Sequence, residues 1–160
     1  MNTPLNAIGL FGTCGKSTWR DAFMARYTAE DVPFYNPQVA PGTWTPAMAS
    51  LEAEHLANDK VVLFAITDET FSFGSLAETG YSALNAIQNG TYLLVYISPT
   101  VAHQEPVHFP TVTKDCVNTR ALVQAHLAKL NSSNVIVCNS LDDLLAQSLV
   151  IWNRTKALDL

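Results

Sequence analysis

Apolar runs at residues 7–12, 61–66, 92–97 and 135–138 are separated by stretches long enough to hold a helix, and a fifth run, 32–35, lies between the first two. This alternation constrains the fold more than any other feature of the chain. Strands that pair side by side in parallel need a crossover of a dozen or more residues, usually a helix. Strand–helix repetition of this kind therefore predicts a parallel sheet covered by helices on both faces. Near-continuous apolar runs such as Val61-Val62-Leu63-Phe64-Ala65-Ile66 fit strands buried on both sides.

The intervening stretches carry helical signals. Trp19, Phe23 and Tyr27 recur at i, i+4 and i+8 within a helix expected over 19–28. Pro46 opens a second helix to residue 58, where its missing N–H costs little. A third is expected over 75–88, closed by Asn89-Gly90, a fourth over 118–130, and a fifth over 140–156 with Ser140 as N-cap. Pro33 marks the 32–35 strand as an edge strand. Residues 36–46, rich in Pro and Gly, read as a covering loop, and the proline-rich 98–115 region as another loop. Together these predict one α/β domain over 1–160, a doubly wound five-stranded parallel sheet of flavodoxin or Rossmann type with strand order 2-1-3-4-5. That order puts the ends of the first and third strands at the switch point, where ligands bind in open sheets.

Composition excludes several classes. Apolar residues make up 48% and charged residues 14%, which suits a packed interior rather than a disordered chain. A formal net charge of -5 disfavours a nucleic-acid polymer as partner. No apolar run reaches the ~20 residues of a membrane span, and Met1-Asn2-Thr3-Pro4 lacks a basic segment leading into an apolar one. Cys14, Cys116 and Cys138, odd in number and without CxxC spacing, read as reduced thiols. A soluble, cytoplasmic protein is expected.

The chemistry concentrates in Phe73-Gly74-Ser75-Leu76-Ala77-Glu78-Thr79-Gly80, just beyond the 61–66 strand. Glu78 is then a first-turn carboxylate at the mouth of the sheet, held ionised by the helix dipole and suited to nucleophilic attack. Ser75-x-x-Glu78 also fits a capping box, and the two readings are compatible. Leu76, Gly80, Ala83, Leu84 and Ile87 trace the expected core face, with Gly80 allowing close approach. Gly12-Thr13-Cys14-Gly15-Lys16-Ser17-Thr18 is not a P-loop, because two residues rather than four separate Gly12 from Gly15-Lys16. It can still offer amides, hydroxyls and the Lys16 ammonium to an anion. Glu52 and Glu54 stand two apart, so only one faces the crevice. His103 and His108 flank Glu105 without a spacing that fixes a metal, and none is expected. Trp19 and Trp152 read as core, and Trp44, in its loop, as a base-stacking residue.

Phe11-Gly12-Thr13, the Gly15–Trp19 helix entry, the 52–59 helix end, the 61–66 strand and the 72–80 run together resemble the nucleoside 2-deoxyribosyltransferase superfamily, which includes the deoxynucleoside monophosphate N-glycosidases. The resemblance covers roughly the first hundred residues, and Glu78-x-Gly80 is its most specific part. It implies Glu78 as the nucleophile that forms a covalent glycosyl-enzyme, and Glu52 or Glu54 as the acid that orients the sugar or protonates the base. Gly12 and Thr13 would meet the sugar or phosphate, and Lys16, Trp44, Asp68, Ser72, Gly74 and Ser75 complete the expected substrate-binding set. Deoxyribosyltransferases often carry aspartates just before the Gly-Ser pair. Here Ser72 and Phe73 stand in that place, and Asp68 is the nearest aspartate. Ser72 is similar to a phosphate-binding serine of the monophosphate glycosidases. The implied activity is cleavage or transfer of the N-glycosidic bond of a (2′-deoxy)nucleoside or nucleotide, with no cofactor. The alternative is a nucleotide-binding or sensing module of the same fold. The family also implies a homo-oligomer, for which the apolar final helix (Leu144, Leu145, Leu149, Val150, Trp152) offers a surface.

Overall fold

Residues 5–40, 42–102 and 111–158 are described by a computed structural model. The elements run β1 Leu5–Gly12, α1 Trp19–Ala29, β2 Phe34–Tyr35, α2 Pro46–Asn58, β3 Asp59–Ile66, α3 Phe73–Asn89, β4 Tyr92–Ile97, α4 Val112–Lys129, β5 Val135–Cys138 and α5 Leu141–Leu158. All strands pair in parallel in the order β2-β1-β3-β4-β5, the doubly wound arrangement expected from the alternating pattern. Leu10 registers with Leu63 and Gly12 with Ala65, so β1 and β3 end level with one another.

The pleat divides the core. Ile8, Leu10, Leu63 and Ala65 face α1 and α5, where the Trp19, Phe23 and Tyr27 stripe is buried as its spacing requires. The Tyr27 hydroxyl and Ser148 Oγ, 2.6 Å apart, join these two helices. Phe11, Val62, Phe64 and Ile66 face the opposite layer, packed by α3, α4 and Leu56 of α2. Pro33 carries no N–H, yet its carbonyl accepts a bond from Ile8 N at 3.0 Å, which keeps the short β2 docked at the edge. Ser140 caps α5 as expected: Asp143 N–H donates to Ser140 Oγ at 3.0 Å, and Asn139 N–H donates to Asp143 Oδ2 at 2.9 Å.

Several expectations are corrected. The capping box at Ser75 is not formed, because α3 begins at Phe73 with Ser72 as its N-cap, and Ser75 lies inside the first turn. Glu78 consequently stands in the second turn, beyond the reach of the dipole end. The buried face of α3 is Leu76, Thr79, Ser82, Ala83 and Ala86, while Gly80, Leu84 and Ile87 lie in solvent. Small side chains bring the helix close to the sheet, and the larger ones point outward. Among the described residues a Cβ at Gly80 would meet nothing within 4 Å, so that glycine serves no close approach to them. α4 starts at Val112, six residues before the expected 118, because its buried Cys116 and Arg120 face extends into the stretch that prolines marked as loop. Of the apolar side chains of α5, Leu144 and Trp152 are fully buried, Leu145 and Leu149 pack on the core, and Val150 is exposed. His103, Glu105 and His108 lie outside the described residues. Among the described residues, no helix is long and apolar enough to cross a membrane.

Beneath α2 lies a buried acid. Asp59, at the start of β3, is 1% exposed, and its Oδ1 pairs with His55 Nδ1 at 2.9 Å while Oδ2 has no partner among the described residues. The His55 ring stacks flat on Tyr35 at 3.8 Å. Burial pushes the Asp59 carboxyl up to about 6, against the bond and charge of His55. A raised acid is disfavoured in its ionised form, so its stability contribution is intact below about 4 and lost as pH rises through about 6. Asp59→Asn keeps an oxygen for His55 and removes the charge. It should be more stable than wild type at pH 8 by on the order of 3 kcal/mol, with the difference vanishing near pH 4. Urea unfolding midpoints at the two pH values test this; an equal gap at both would contradict it.

Candidate active site

β1 sends its chain toward β2 and β3 sends its chain toward β4, so the loops leaving their C-terminal ends part and open a crevice. A cleft of about 380 Å³ occupies it, within the range of small-molecule sites. Its walls come from Phe11 to Gly15 after β1, from Pro37, from Glu52 on α2, and from Thr70, Ser72, Gly74, Ser75 and Glu78 around the start of α3.

Gly12 allows the wall to form. Its φ of +122° is glycine territory, and a Cβ there would sit 2.3 Å from the carbonyl oxygen of Ala65. The next residue, Thr13, is buried and fully committed: its N–H donates to Ala65 O at 2.9 Å, and its Oγ1 accepts from Thr67 N–H at 2.9 Å. That hydroxyl also lies 2.9 Å from Ser72 Oγ, which is 2.9 Å from Thr70 Oγ1. A chain of three hydroxyls thus stitches the β1 loop to the β3 loop along the cleft. Ser72 holds a left-handed conformation, φ 52° and ψ 36°, strained for a residue with a Cβ and stabilised by these bonds.

Two buried arginines that the sequence reading did not single out hold the loops from behind. Arg20 donates to Leu10 O at 2.9 Å, to Thr13 O at 2.6 Å and to Cys14 Sγ at 3.6 Å. Arg120 donates to Ser98 O at 3.1 Å and Thr70 O at 2.7 Å, tying the end of β4 to the loop before α3. Glu69 was missed as well. Its carboxylate accepts from Thr67 Oγ1 at 2.6 Å and from Ser17 Oγ, joining the two loops at the surface. Periodicity marks Arg20 and Arg120 only as charged residues on otherwise apolar helix faces, since their partners lie outside their own helices.

The cleft brings two carboxylates together. Glu78 is half-buried, and its carboxyl is raised above the ordinary range by burial and then by the charge of Glu52. The expected hold of a helix dipole is therefore overturned: desolvation dominates. Glu52 is raised by burial as well, opposed by the attraction of Arg20. Glu54 is exposed and absent from the lining, which resolves the choice between the two in favour of Glu52.

Of the other expected residues, Gly12, Thr13, Ser72, Gly74 and Ser75 line the cleft, and Lys16, Trp44 and Asp68 do not. Lys16 is exposed, and Trp44 lies in solvent away from the lining. The carbonyl of Asp68 instead accepts from Ala102 N–H at 2.8 Å. The 36–46 loop does reach the cleft, through Pro37 rather than Trp44, and Gln38 Nε2 donates to Gly15 O at 2.8 Å. Among the described residues, no three His, Cys, Asp or Glu side chains converge as metal ligands. No protein-family model matches this chain, and no curated protein is similar to it at a level that supports relatedness.

Proposed function

We propose that the protein cleaves or transfers the N-glycosidic bond of a (2′-deoxy)nucleoside or nucleotide, through a covalent glycosyl intermediate on Glu78. One observation carries the reading: two half-buried carboxyls, Glu78 and Glu52, face a single nucleoside-sized cleft closely enough that one raises the other. The charge of Glu52 raises Glu78 while Arg20 opposes the rise of Glu52, so the proposed step requires the proton shared by the pair to sit on Glu52 when Glu78 attacks. In the proposed step, an ionised Glu78 oxygen attacks C1′ through an oxocarbenium-like transition state. The C1′–N bond breaks, its electron pair goes to the base, and Glu52 supplies the proton the base takes up. The sugar ester on Glu78 is then displaced by water, giving a hydrolase, or by a second base, giving a transferase. The proton from the incoming group returns to the acid. Two internal bonds use two of the three hydroxyl protons of the Thr13–Ser72–Thr70 chain, so it supplies one neutral donor, from Ser72 or Thr70, for the sugar or its phosphate.

Incubation with a panel of deoxynucleosides and their 5′-monophosphates, with and without a second free base, tests the proposal by chromatography. Release of free base supports hydrolysis, and appearance of a new nucleoside supports transfer. Nucleotide binding by calorimetry with no base released on any substrate rejects the catalytic reading and leaves a binding module of this fold.

A further inference from the structure

α2 carries Glu52 into the cleft, yet it is held mainly by its last turn. None of its side chains is fully buried, and the half-buried ones gather in His55 to Asn58, with Met48, Ala49 and Glu52 before them. Leu56 packs on the core, and Asn85 Nδ2 donates to Ala57 O at 2.9 Å. His55 adds a hold at three points. Its ring lies flat on Tyr35 with the centroids 3.8 Å apart, its Nδ1 is 2.9 Å from Asp59 Oδ1, and its carbonyl accepts from the Asp59 N–H. This hold is costly. Asp59 is buried, its Oδ2 has no partner among the described residues, and a carboxyl so placed lowers stability. β1 makes room for it with Gly9, where a Cβ would stand 2.6 Å from Oδ2. An acid kept at that cost calls for a role beyond closing the end of a helix.

Resting on the reading of Glu52 as the acid, we infer that His55 is a positioning residue for Glu52, with Asp59 and Tyr35 holding its ring. Glu52 lies three residues before His55, on the same face of the helix. The stack fixes the plane of the ring, and the hydrogen bond fixes its direction within that plane. The turn that bears both therefore has little freedom to roll. A roll of about 20° would carry a carboxyl ~6 Å from the helix axis through about 2 Å. Misplacement of about 1 Å can cost on the order of 10²-fold in rate. The stack also reaches the cleft wall, since Tyr35 stands 6.1 Å from Phe11, which lines it. The charge of Glu52 is felt at both Tyr35 and Glu78, so its carboxyl lies within electrostatic reach of the hold and of the nucleophile.

His55→Phe keeps the stack and removes the bond. It should lower kcat by roughly 10- to 10²-fold with KM little changed, because the departing base takes up its proton in the transition state. Combined with Glu52→Gln it should cost no more than Glu52→Gln alone, since nothing remains to be positioned once the acid is gone. Asp59→Asn keeps an acceptor for the ring and should retain most of the wild-type turnover, while Asp59→Ala should behave as His55→Phe does. Carbon-13 NMR titration of the Glu78 carboxyl reads the positioning without any substrate. In His55→Phe its midpoint should fall toward the ordinary carboxylate range, because the charge of Glu52 has moved away. This signal stands apart from turnover: absence of base release rejects the reaction, whereas an unchanged Glu78 midpoint in His55→Phe overturns the positioning. Losses that multiply in the double variant overturn it too. If His55→Phe fails to fold, Asp59→Asn carries the test, and a loss of turnover there as large as in Glu52→Gln contradicts a role through the ring.

Discussion

Glu78→Gln should lower release of free base by at least about 10³-fold on whichever substrate the wild type turns over, because an amide can neither attack C1′ nor form the ester. The fold should survive. Glu78 takes no part in a helix cap, and its raised carboxyl is a group whose ionised form the native state disfavours. Stability from such a group is present at low pH and lost as pH rises through its folded value, so the neutral glutamine variant should be at least as stable as wild type at pH 8. Base release and thermal melting measured on the same preparation separate the two effects. Turnover unchanged in a folded Glu78→Gln protein would remove the glycosyl-enzyme from consideration. Glu52→Gln distinguishes the two acids. It should depress turnover less on substrates whose base leaves without protonation, since the acid acts only on the departing group.

The largest effect on stability is expected at Gly12. An alanine there has its Cβ 2.3 Å from the carbonyl oxygen and 2.7 Å from the nitrogen of Ala65, which are strand backbone atoms that cannot swing aside. It must also adopt a φ of +122° that L residues rarely occupy. Steric overlap with the central strand and backbone strain together predict a loss of about 3–5 kcal/mol. Gly15→Ala is the control: its φ of +76° is strained, but a Cβ there meets nothing within 4 Å, so its loss should be about 1 kcal/mol. Denaturant midpoints for the two variants check the ranking. Equal losses would show that left-handed strain alone, rather than contact with β3, sets the cost at Gly12.

The alternating pattern was legible because the central strands β3 and β4 are enclosed on both faces and α1 carries a buried stripe. β3 reads as an apolar run since Val61 to Ile66 are all enclosed, and α1 declares itself through Trp19, Phe23 and Tyr27. The rotation of α3 was not legible. Its residues are small or moderately apolar all round, so hydrophobicity pointed to Leu84 and Ile87 while close packing chose Ala83 and Ala86. The cleft was partly legible. A carboxylate after a buried strand marks Glu78, but choosing Glu52 over Glu54 needs the angle at which α2 lies on the sheet.

Local sequence carries what repeats at short range: which segments are strands or helices, that the sheet is parallel, and that Glu78 follows the third strand. These follow from burial and periodicity along a few residues of chain. Tertiary structure decided what depends on partners far apart in the chain. Arg120 holds carbonyls up to 54 residues away, the hydroxyl chain spans 59 residues from Thr13 to Ser72, and the charge of Glu52 reaches Glu78 only because α2 and α3 line one cleft beyond the ends of β1 and β3. Hydrogen bonds and carboxylate repulsion act over a few ångströms of space, a distance that spacing along the chain does not encode.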